Sequence, residues 1–287
     1  MFKTISVIGG DLRQLSLAKM LSEDGYDITV YGFKNEIREY TLNYTDNISK
    51  ALDSEIVILP VPVSFDGQFV NTPFMDEKLT ISEICDKLNP LSLIFGGCIS
   101  KSLSHELEKR NIKHRDYMLR DELAIRNAVP TAEGAIEIAI SETPITLHNS
   151  KCLVLGYGKV GKILSKSLCA LGAKTYVEAR KYADLALIEG HGYYPLTMNE
   201  ATARLDEFDI IFNTIPALVL NRNELIKIRN DALVIDLASK PGGVDFDAAK
   251  ELGIRVIWAL SLPGRVAPVT AGIIIKDTII NMMREEV

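Results

Sequence analysis

Short apolar runs alternate with helix-like segments along nearly the whole chain, and this alternation limits the possible folds more than any other feature. The runs are rich in β-branched residues and span 5–8, 28–31, 56–59, 93–95, 152–155, 175–179, 210–213, 233–236 and 255–258. Such runs are typical of parallel strands that helices cover on both faces. Because the pattern starts again after about residue 150, we predict an α/β protein with two doubly wound domains, each built on a parallel sheet.

The segment between the two halves predicts a linking helix. Thr131 is suited to cap a helix N-terminus, with Glu133 in the first turn. We therefore predict an N-terminal domain over 1–128 and a second domain over 129–266. A further apolar helix pattern, over about 267–287, should pack back on the first domain. The two helices would then cross between the domains, with a ligand in the cleft.

Composition and length argue against several classes of protein. With 287 residues, 47% of them hydrophobic, either half is long enough to bury its own core. The four cysteines have no CxxC spacing and the four histidines are scattered, so we expect reduced thiols and no metal site. A net charge of −6 argues against non-specific binding to nucleic acid. The apolar runs are too short to span a membrane and no signal peptide is recognisable, so we expect a cytoplasmic protein.

A glycine-rich turn at the start of the second half predicts where a dinucleotide binds. Its glycines form a GxGxxG motif after an apolar run and before a helix pattern, and this context makes the motif specific. They allow a tight turn, close approach of a pyrophosphate, and close packing of helix on strand. The helix N-terminus adds amide donors and a partial positive charge. We therefore predict two Rossmann-like domains, the second of which binds the cofactor through Gly156, Tyr157, Gly158, Lys159, Val160 and Gly161.

The residues after the next strand indicate NADP. Arg180 lies 24 positions after Gly156, and Lys181 follows it. A planar guanidinium suits a phosphate bidentately and an ammonium beside it adds charge, so both would bind the 2′-phosphate. Glu178 could bind ribose hydroxyls, but it stands two residues too early if the strand ends at Ala179. An exposed basic loop without a ligand is the alternative.

Later strand ends of the second half add polar groups to the same edge of the predicted sheet. Ligands of open α/β sheets bind outside the carboxyl ends of the strands, so the loops there should flank the nicotinamide. The residues that we assign to this part of the cofactor site are Asn213, Thr214, Pro216 and Ala238. Lys240 follows in the loop of Ala238, and turn chemistry alone does not account for it.

The first glycine turn of the chain, Gly9-Gly10, departs from the dinucleotide pattern. Its third glycine is replaced and the run 28–31 ends without a ribose-binding acid, so we expect no second dinucleotide. Arg13 stands in the first turn of the next helix, where a cation opposes the helix dipole, and this indicates an anionic partner. We predict a small carboxylate ligand that Arg13 and backbone amides such as that of Gly10 bind. An internal ion pair with Asp11 is the alternative.

Two further loops of the first half are predicted to face this ligand. Ser64, after the third strand, offers a hydroxyl, and Gly97, after the fourth, offers an exposed amide. Cys98 is conceivable as a nucleophile, but no histidine is recognisably placed to activate it. We therefore expect an inert thiol there.

Six motifs, spread nearly from end to end, together resemble the A subunit of bacterial dipicolinate synthase. They are GGDLRQ at 9–14, RDELAIRNAVPTAEG at 120–134, GYGKVG at 156–161, NTIP at 213–216, DLASKPGG at 236–243 and LPGRVAPVTAG at 262–272. Their order is specific, whereas GYGKVG alone fits many dehydrogenases. The resemblance implies an NADP-dependent oxidation of dihydrodipicolinate to dipicolinate (pyridine-2,6-dicarboxylate) in the mother cell of a sporulating bacterium. It also implies a partner, a flavoprotein-like B subunit, and homodimerisation is compatible with this architecture.

The flat dianionic product calls for anion sites and a base. Besides Arg13 and Ser64, we consider Thr131 and Arg265 candidates for binding the substrate. The ring proton needs an acceptor, and the candidates for this catalytic role are Glu133, Asp121 and Lys240.

Two other functions remain open. A dehydrogenase of 2-hydroxy or 2-amino acids shares the two-domain plan. Hydroxy-acid enzymes of that type resemble one another in a late histidine that carries the proton, and no histidine follows His191 here. From a different class, a nucleotide-binding regulatory subunit would carry the same cofactor motif while its partner performs catalysis.

Overall fold

The chain divides into two compact units, each with its own sheet. The computed structural model describes residues 2–34, 37 and 41–286 of the 287. Unit 1 comprises Met1–Arg126 with Ala267–Val287, and unit 2 comprises Asn127–Val266. Each sheet has six parallel strands, so the predicted α/β class with two doubly wound parallel sheets is confirmed. Among the described residues, no helix has the length and apolarity to cross a bilayer.

Unit 1 is built on the first sheet. Its strands are β1 Thr4–Ile8, β2 Asp27–Tyr31, β3 Asn43–Tyr44, β4 Ile56–Ile58, β5 Leu93–Gly96 and β6 His114–Asp116, in the order β3-β2-β1-β4-β5-β6. Its helices include α1 Leu12–Glu23, α2 Ile48–Ala51, α3 Ile81–Lys87 and α4 Lys101–Lys109. The last helix of the chain, α12 Pro268–Glu285, packs along α1. A Cβ on Gly272 of α12 would lie 2.7 Å from the carbonyl oxygen of Arg13, so glycine permits this close packing.

The strands of unit 1 are apolar on both sides because both faces of the sheet are covered. Successive side chains of a strand point to opposite faces. Ile56 and Ile58 pack in one core with Val7, whereas Val57 packs with Ile8 in the core on the other face. A strand buried on both faces has no polar positions to alternate, which explains the continuous apolar runs.

Unit 2 repeats this plan. Its strands are β7 Lys151–Leu155, β8 Lys174–Glu178, β9 Tyr194–Leu196, β10 Ile210–Asn213, β11 Leu233–Asp236 and β12 Arg255–Trp258, in the order β12-β11-β10-β7-β8-β9. Its helices include α6 Lys159–Ala170, α7 Tyr182–Gly190, α8 Met198–Ala203, α9 Arg222–Leu225, α10 Phe246–Leu252 and α11 Leu262–Val266. The same alternation places Cys152 and Val154 in the core on one face of the sheet, and Leu153 and Leu155 in the core on the other face.

The linking helix begins earlier than the sequence predicts. Helix α5, Asp121–Glu142, runs continuously through Pro130. Thr131 is therefore not an N-cap, and its hydroxyl donates to the carbonyl oxygen of Asn127 at 2.7 Å within the helix. A proline inside a helix removes one backbone hydrogen bond, which is why the sequence favoured a helix start there. The helix nevertheless continues past Pro130. Ala128 and Ala132, on either side of the proline in the sequence, are buried, and this packing stabilises the helix.

Candidate functional site

The glycine turn between β7 and α6 is the best-defined candidate site of unit 2. Gly156 has φ +94°, and a Cβ there would lie 2.6 Å from Thr214 Oγ1. A Cβ on Gly161 would lie 2.0 Å from the carbonyl oxygen of Gly156, so α6 packs directly on the turn. These two glycines are required by the fold itself.

Gly158 is different, because the fold does not require it. Its backbone, with φ −83° and ψ −160°, suits other residues, and a Cβ there would meet no atom of the described residues within 4 Å. The missing side chain leaves open space at the N-terminus of α6, where no side chain caps the helix. The first amides of any helix have no hydrogen-bond acceptor within the helix itself. Open space beside such amides is what a pyrophosphate needs, so the turn fits a dinucleotide.

The position of Glu178 differs from the sequence-based assumption. Strand β8 ends at Glu178 and not at Ala179, so the carboxylate stands at the strand end. Glu178 is 1% exposed, and its Oε2 accepts a hydrogen bond from the amide of Gly156 at 3.1 Å. The other oxygen, Oε1, is buried and has no hydrogen-bond donor in the described part of the chain. Burial raises the pKa of Glu178, outweighing the bond from Gly156 and the charge of Arg180.

Arg180 and Lys181 lie in the short connection between β8 and α7, and both are exposed. Lys181 is the N-cap residue of α7 and makes no side-chain capping bond. Two cations therefore stand beside a helix N-terminus that lacks a side-chain cap. Such a surface attracts an anion.

A buried polar network fixes the loops after β10 and β11. Asp236 is 0% exposed and accepts hydrogen bonds from Asn213 Nδ2 at 2.8 Å and from the amide of Gly243 at 2.8 Å. It also accepts from the amide of Ala238 at 3.1 Å, and Trp258 Nε1 donates to the carbonyl oxygen of Ala238 at 2.9 Å. The roles of Asp236 and Trp258 as supports of this loop were not predicted from the sequence. The motif contains Asp236, but no local pattern shows which amides its carboxylate binds.

Of the other residues predicted for the cofactor site, some make contacts within the protein and others are exposed to solvent. Asn213 is fully buried, and Thr214 Oγ1 donates to the carbonyl oxygen of Leu155 at 2.9 Å. Both residues therefore stabilise the protein around the glycine turn. The hydroxyl of Tyr157 lies 2.9 Å from His191 Nδ1, which turns this side chain into unit 2. Pro216 and Lys240 are exposed at the ends of their strands, which leaves them accessible to a ligand.

In unit 1, the chain itself covers the first glycine turn. The amide of Gly10 donates to the carbonyl oxygen of Asn71 at 2.8 Å. A Cβ on Gly9 would lie 2.6 Å from Thr72 Cγ2, so the segment with Asn71 and Thr72 lies directly against the turn. The amide that we expected to face an anionic ligand at Gly10 is therefore bonded within the protein.

Arg13 forms the internal ion pair that the sequence left open as an alternative. Its Nε and Nη2 bind the carboxylate of Asp11, with Nη2 at 2.7 Å from Oδ2. Nη2 also donates to the carbonyl oxygen of Val61 at 2.9 Å. Asp11 in turn caps α1 by accepting from the amide of Arg13 at 3.0 Å. The two-pronged face of the guanidinium is thus used within the chain, and a contact of Arg13 with substrate stays a prediction.

The neighbouring loops of unit 1 hold their predicted residues in structural contacts. Ser64 Oγ donates to Asp66 at 3.1 Å and accepts from the amide of Gly67 at 2.9 Å, so this hydroxyl builds a turn. A Cβ on Gly97 would lie 2.5 Å from Val61 Cβ, so Gly97 allows two loops to pack closely. The Cys98 residue is exposed, and partial desolvation together with the charge of Asp116 raises the pKa of its thiol, which disfavours the nucleophilic thiolate.

Of the three base candidates, Asp121 is the first residue of α5, Glu133 follows on the same helix, and Lys240 lies in the loop after β11. Glu133 and Lys240 are exposed, as is Arg265 in the last turn of α11. No group of His, Cys, Asp or Glu side chains among the described residues is placed to hold a metal ion.

Comparison with known proteins relates the chain to one family. The family model of the N-terminal domain of the dipicolinate synthase A subunit matches residues 4–118. The dipicolinate synthase A subunit of Bacillus subtilis (strain 168) is 36% identical over 284 residues, which are 98% of this chain and 96% of that protein.

Solved structures agree with this relationship. The crystal structure of the dipicolinate synthase A subunit from Bacillus halodurans has a TM-score of 0.89 at 35% identity, over 98% of this chain and 97% of that chain. A transhydrogenase from Sinorhizobium meliloti has a TM-score of 0.75 at 15% identity, over 99% of this chain and 94% of that chain, and shares the fold. The chain belongs to the dipicolinate synthase A subunit family.

Proposed function

We propose that this chain oxidises dihydrodipicolinate to dipicolinate with NADP as the hydride acceptor. Its membership of the dipicolinate synthase A subunit family supports the substrate. The observation that carries the proposal is Gly158, where the backbone suits any residue and open space remains. A bound pyrophosphate accounts for a glycine at this position, whereas the fold alone does not.

The residues of unit 2 supply each part of a dinucleotide site. In this proposal the pyrophosphate binds over Gly158 and the first-turn amides of α6. Arg180 and Lys181, exposed at the end of β8, bind the 2′-phosphate. The loops after β10 and β11, including the one that Asp236 fixes, flank the nicotinamide. When bound, NADP accepts a hydride from the substrate.

The chain itself must bind a dianion and accept one proton. Oxidation removes a hydride from one ring carbon and a proton from another position, and the product ring is aromatic. Because aromatisation supplies much of the driving force, a modest general base suffices. Lys240 is the candidate that the fold links most directly to the cofactor, because it shares the loop of Ala238. In unit 1, Arg13 would bind a substrate carboxylate through Nη1, since Asp11 uses its other face.

We further propose that the chain works with a flavoprotein-like B subunit in the mother-cell cytoplasm of a sporulating bacterium. Its relatives carry the name of an A subunit, which supports the existence of a second polypeptide in the enzyme. If the partner performed the chemistry, this chain would be a nucleotide-binding regulatory subunit.

The test is an assay of the purified chain with dihydrodipicolinate and NADP. We expect dipicolinate and NADPH to form in equal amounts, faster than in a control without NADP. Arg180→Asp should weaken NADP(H) by about 2 kcal/mol or more, the scale of a charged hydrogen bond. Product that forms only after the B subunit is added would contradict a catalytic role for this chain alone.

A further inference from the structure

We propose that Glu178 binds the adenosine ribose of the cofactor, so that this chain accepts NAD as well as NADP. The proposal rests on the proposed function, because it assumes a dinucleotide over Gly158. The proposal goes beyond the proposed function because it assigns the choice between NAD and NADP to two side chains with opposite preferences. Glu178 would favour a ribose with a free 2′-hydroxyl, and Arg180 would favour the 2′-phosphate.

The first support is the place of Glu178 in the sheet. Strands β7 and β8 pair in parallel with Leu155 opposite Glu178, so the carboxylate stands beside the residue that leads into the glycine turn. Its Oε2 accepts from the amide of Gly156 at 3.1 Å, which ties the side chain to that turn. An acid at this strand end is placed to bind ribose hydroxyls.

The second support is the unpartnered oxygen. Glu178 is 1% exposed, and Oε1 lacks a donor among the described residues. A buried acceptor without a donor is unfavourable, because it has lost its bonds to water and gained none. A ribose hydroxyl would supply the missing donor. Since Oε1 is enclosed in this structure, binding includes a rotation of the carboxylate toward the edge of the sheet.

The third support is the charge balance around the ribose position. An ionised Glu178 repels a 2′-phosphate, whereas Arg180, exposed two residues later, attracts it. Burial raises the pKa of Glu178, so this carboxylate is more easily neutralised beside a phosphate than an exposed one. The same site can therefore take either nucleotide.

Isothermal titration calorimetry of the full chain with NADH and with NADPH tests the proposal. The unmodified chain should bind both. Glu178→Gln should weaken NADH by about 10- to 150-fold, the scale of a charge-assisted hydrogen bond, and leave NADPH equal or tighter. Arg180→Ala should do the reverse. Glu189→Gln, which removes a charge from an exposed position of the same unit, should change neither.

The outcomes separate this proposal from the proposed function. Tight NADPH binding without measurable NADH binding would overturn the role of Glu178 and leave the NADP site intact. NADH affinity that Glu178→Gln does not change would overturn it as well. Binding of neither nucleotide would instead refute the proposed function. If Glu178→Gln fails to fold, Glu178→Asp provides a second test. It keeps the charge but moves the carboxylate away from the ribose by one methylene length, so it should weaken NADH binding selectively.

Discussion

Replacing Gly158 with alanine should strongly weaken cofactor binding while leaving the fold nearly unchanged. The backbone of Gly158 has φ −83° and ψ −160°, and the new Cβ would meet no atom within 4 Å in the described part of the chain. Alanine is a poorer N-cap than glycine, so the free energy of unfolding should fall by no more than about 1 kcal/mol. For a unit of this size, that corresponds to a decrease in Tm of roughly 4 °C at most.

The effect on binding should be much larger, because the methyl group would occupy the space proposed for the pyrophosphate. Each charge-assisted bond from a backbone amide to a phosphate contributes about 1.5–3 kcal/mol. Displacing the phosphates so that two such bonds are lost should weaken NADPH by roughly 3–6 kcal/mol, which is more than about 150-fold. Affinity and stability should therefore separate clearly in this one variant.

Two other glycines provide matched controls. Gly161→Ala places a Cβ 2.0 Å from the carbonyl oxygen of Gly156, so it should lower stability by about 1–3 kcal/mol through overpacking. Gly190→Ala adds a methyl group in open space at the end of α7 and should leave NADPH affinity unchanged. The assay is calorimetric titration with NADPH beside denaturant unfolding of the same samples. Unchanged NADPH affinity in Gly158→Ala would refute our explanation of this turn.

Further predictions follow from the ionised groups and the proposed partner. Arg13→Ala should lower the stability of unit 1 by about 1–2 kcal/mol, since its pair with Asp11 is only partly exposed. Asp11→Asn should cause a similar loss in thermal unfolding, and dipicolinate affinity that falls only in Arg13→Ala would show an added role in binding. The pKa of Glu178 is raised from 4.5 in the folded chain, so its burial costs stability most above the folded pKa, and this cost disappears as the pH falls toward 4.5. Relative to the unmodified chain, Glu178→Gln should therefore be more stable at pH 8, and this difference should shrink as the pH falls toward 4.5 in urea titrations. A difference that does not vary with pH would contradict the raised pKa. Co-expression should yield a complex with the B subunit that stays together on size-exclusion chromatography, whereas separate elution of the two chains would contradict the proposed partnership.

The strands that the sequence predicted are mostly those with two buried faces. In β4, all three residues are buried, and an apolar run marks such a strand without any partner being known. No apolar run predicted β3, β6 or β9, which lie at sheet edges. Strand β6 is His-Arg-Asp and β9 contains Pro195, so neither resembles an interior strand. An edge strand pairs on one side only and needs fewer apolar residues, so its position depends on the sheet that it joins.

Parts of the candidate site could be predicted only where the functional residues are close together in one segment of the sequence. The glycine motif and Arg180 with Lys181 are such segments, and the structure places both at the same edge of the second sheet. The strand end before Arg180 was predicted one residue too late, because β8 ends at Glu178, and the bond from the Gly156 amide to its carboxylate is a tertiary contact that the local sequence does not specify. The role of Asp236 depends on a loop that returns seven residues later to donate the amide of Gly243, and no sequence pattern specifies that return.

The two glycine turns show how the same local plan can be used in opposite ways. Gly9 and Gly156 each directly follow a central strand and have positive φ. At the next glycine positions of the motif, unit 2 has Gly158 and Gly161, whereas unit 1 has Asp11 and Gln14. The side chain of Asp11 caps α1 by accepting a hydrogen bond from a first-turn amide, whereas no side chain of the described residues caps α6. A phosphate would accept such hydrogen bonds at the N-terminus of α6.

The turn of unit 1 is thus filled by groups of its own chain. The amide of Gly10 already donates to Asn71, and Gln14 is fully buried beneath the turn. A phosphate there would have to break a backbone hydrogen bond to gain one, which leaves little net free energy for binding. It would also meet the carboxylate of Asp11, whose charge repels it. One dinucleotide per chain, bound in unit 2, is therefore the stoichiometry that these turns favour.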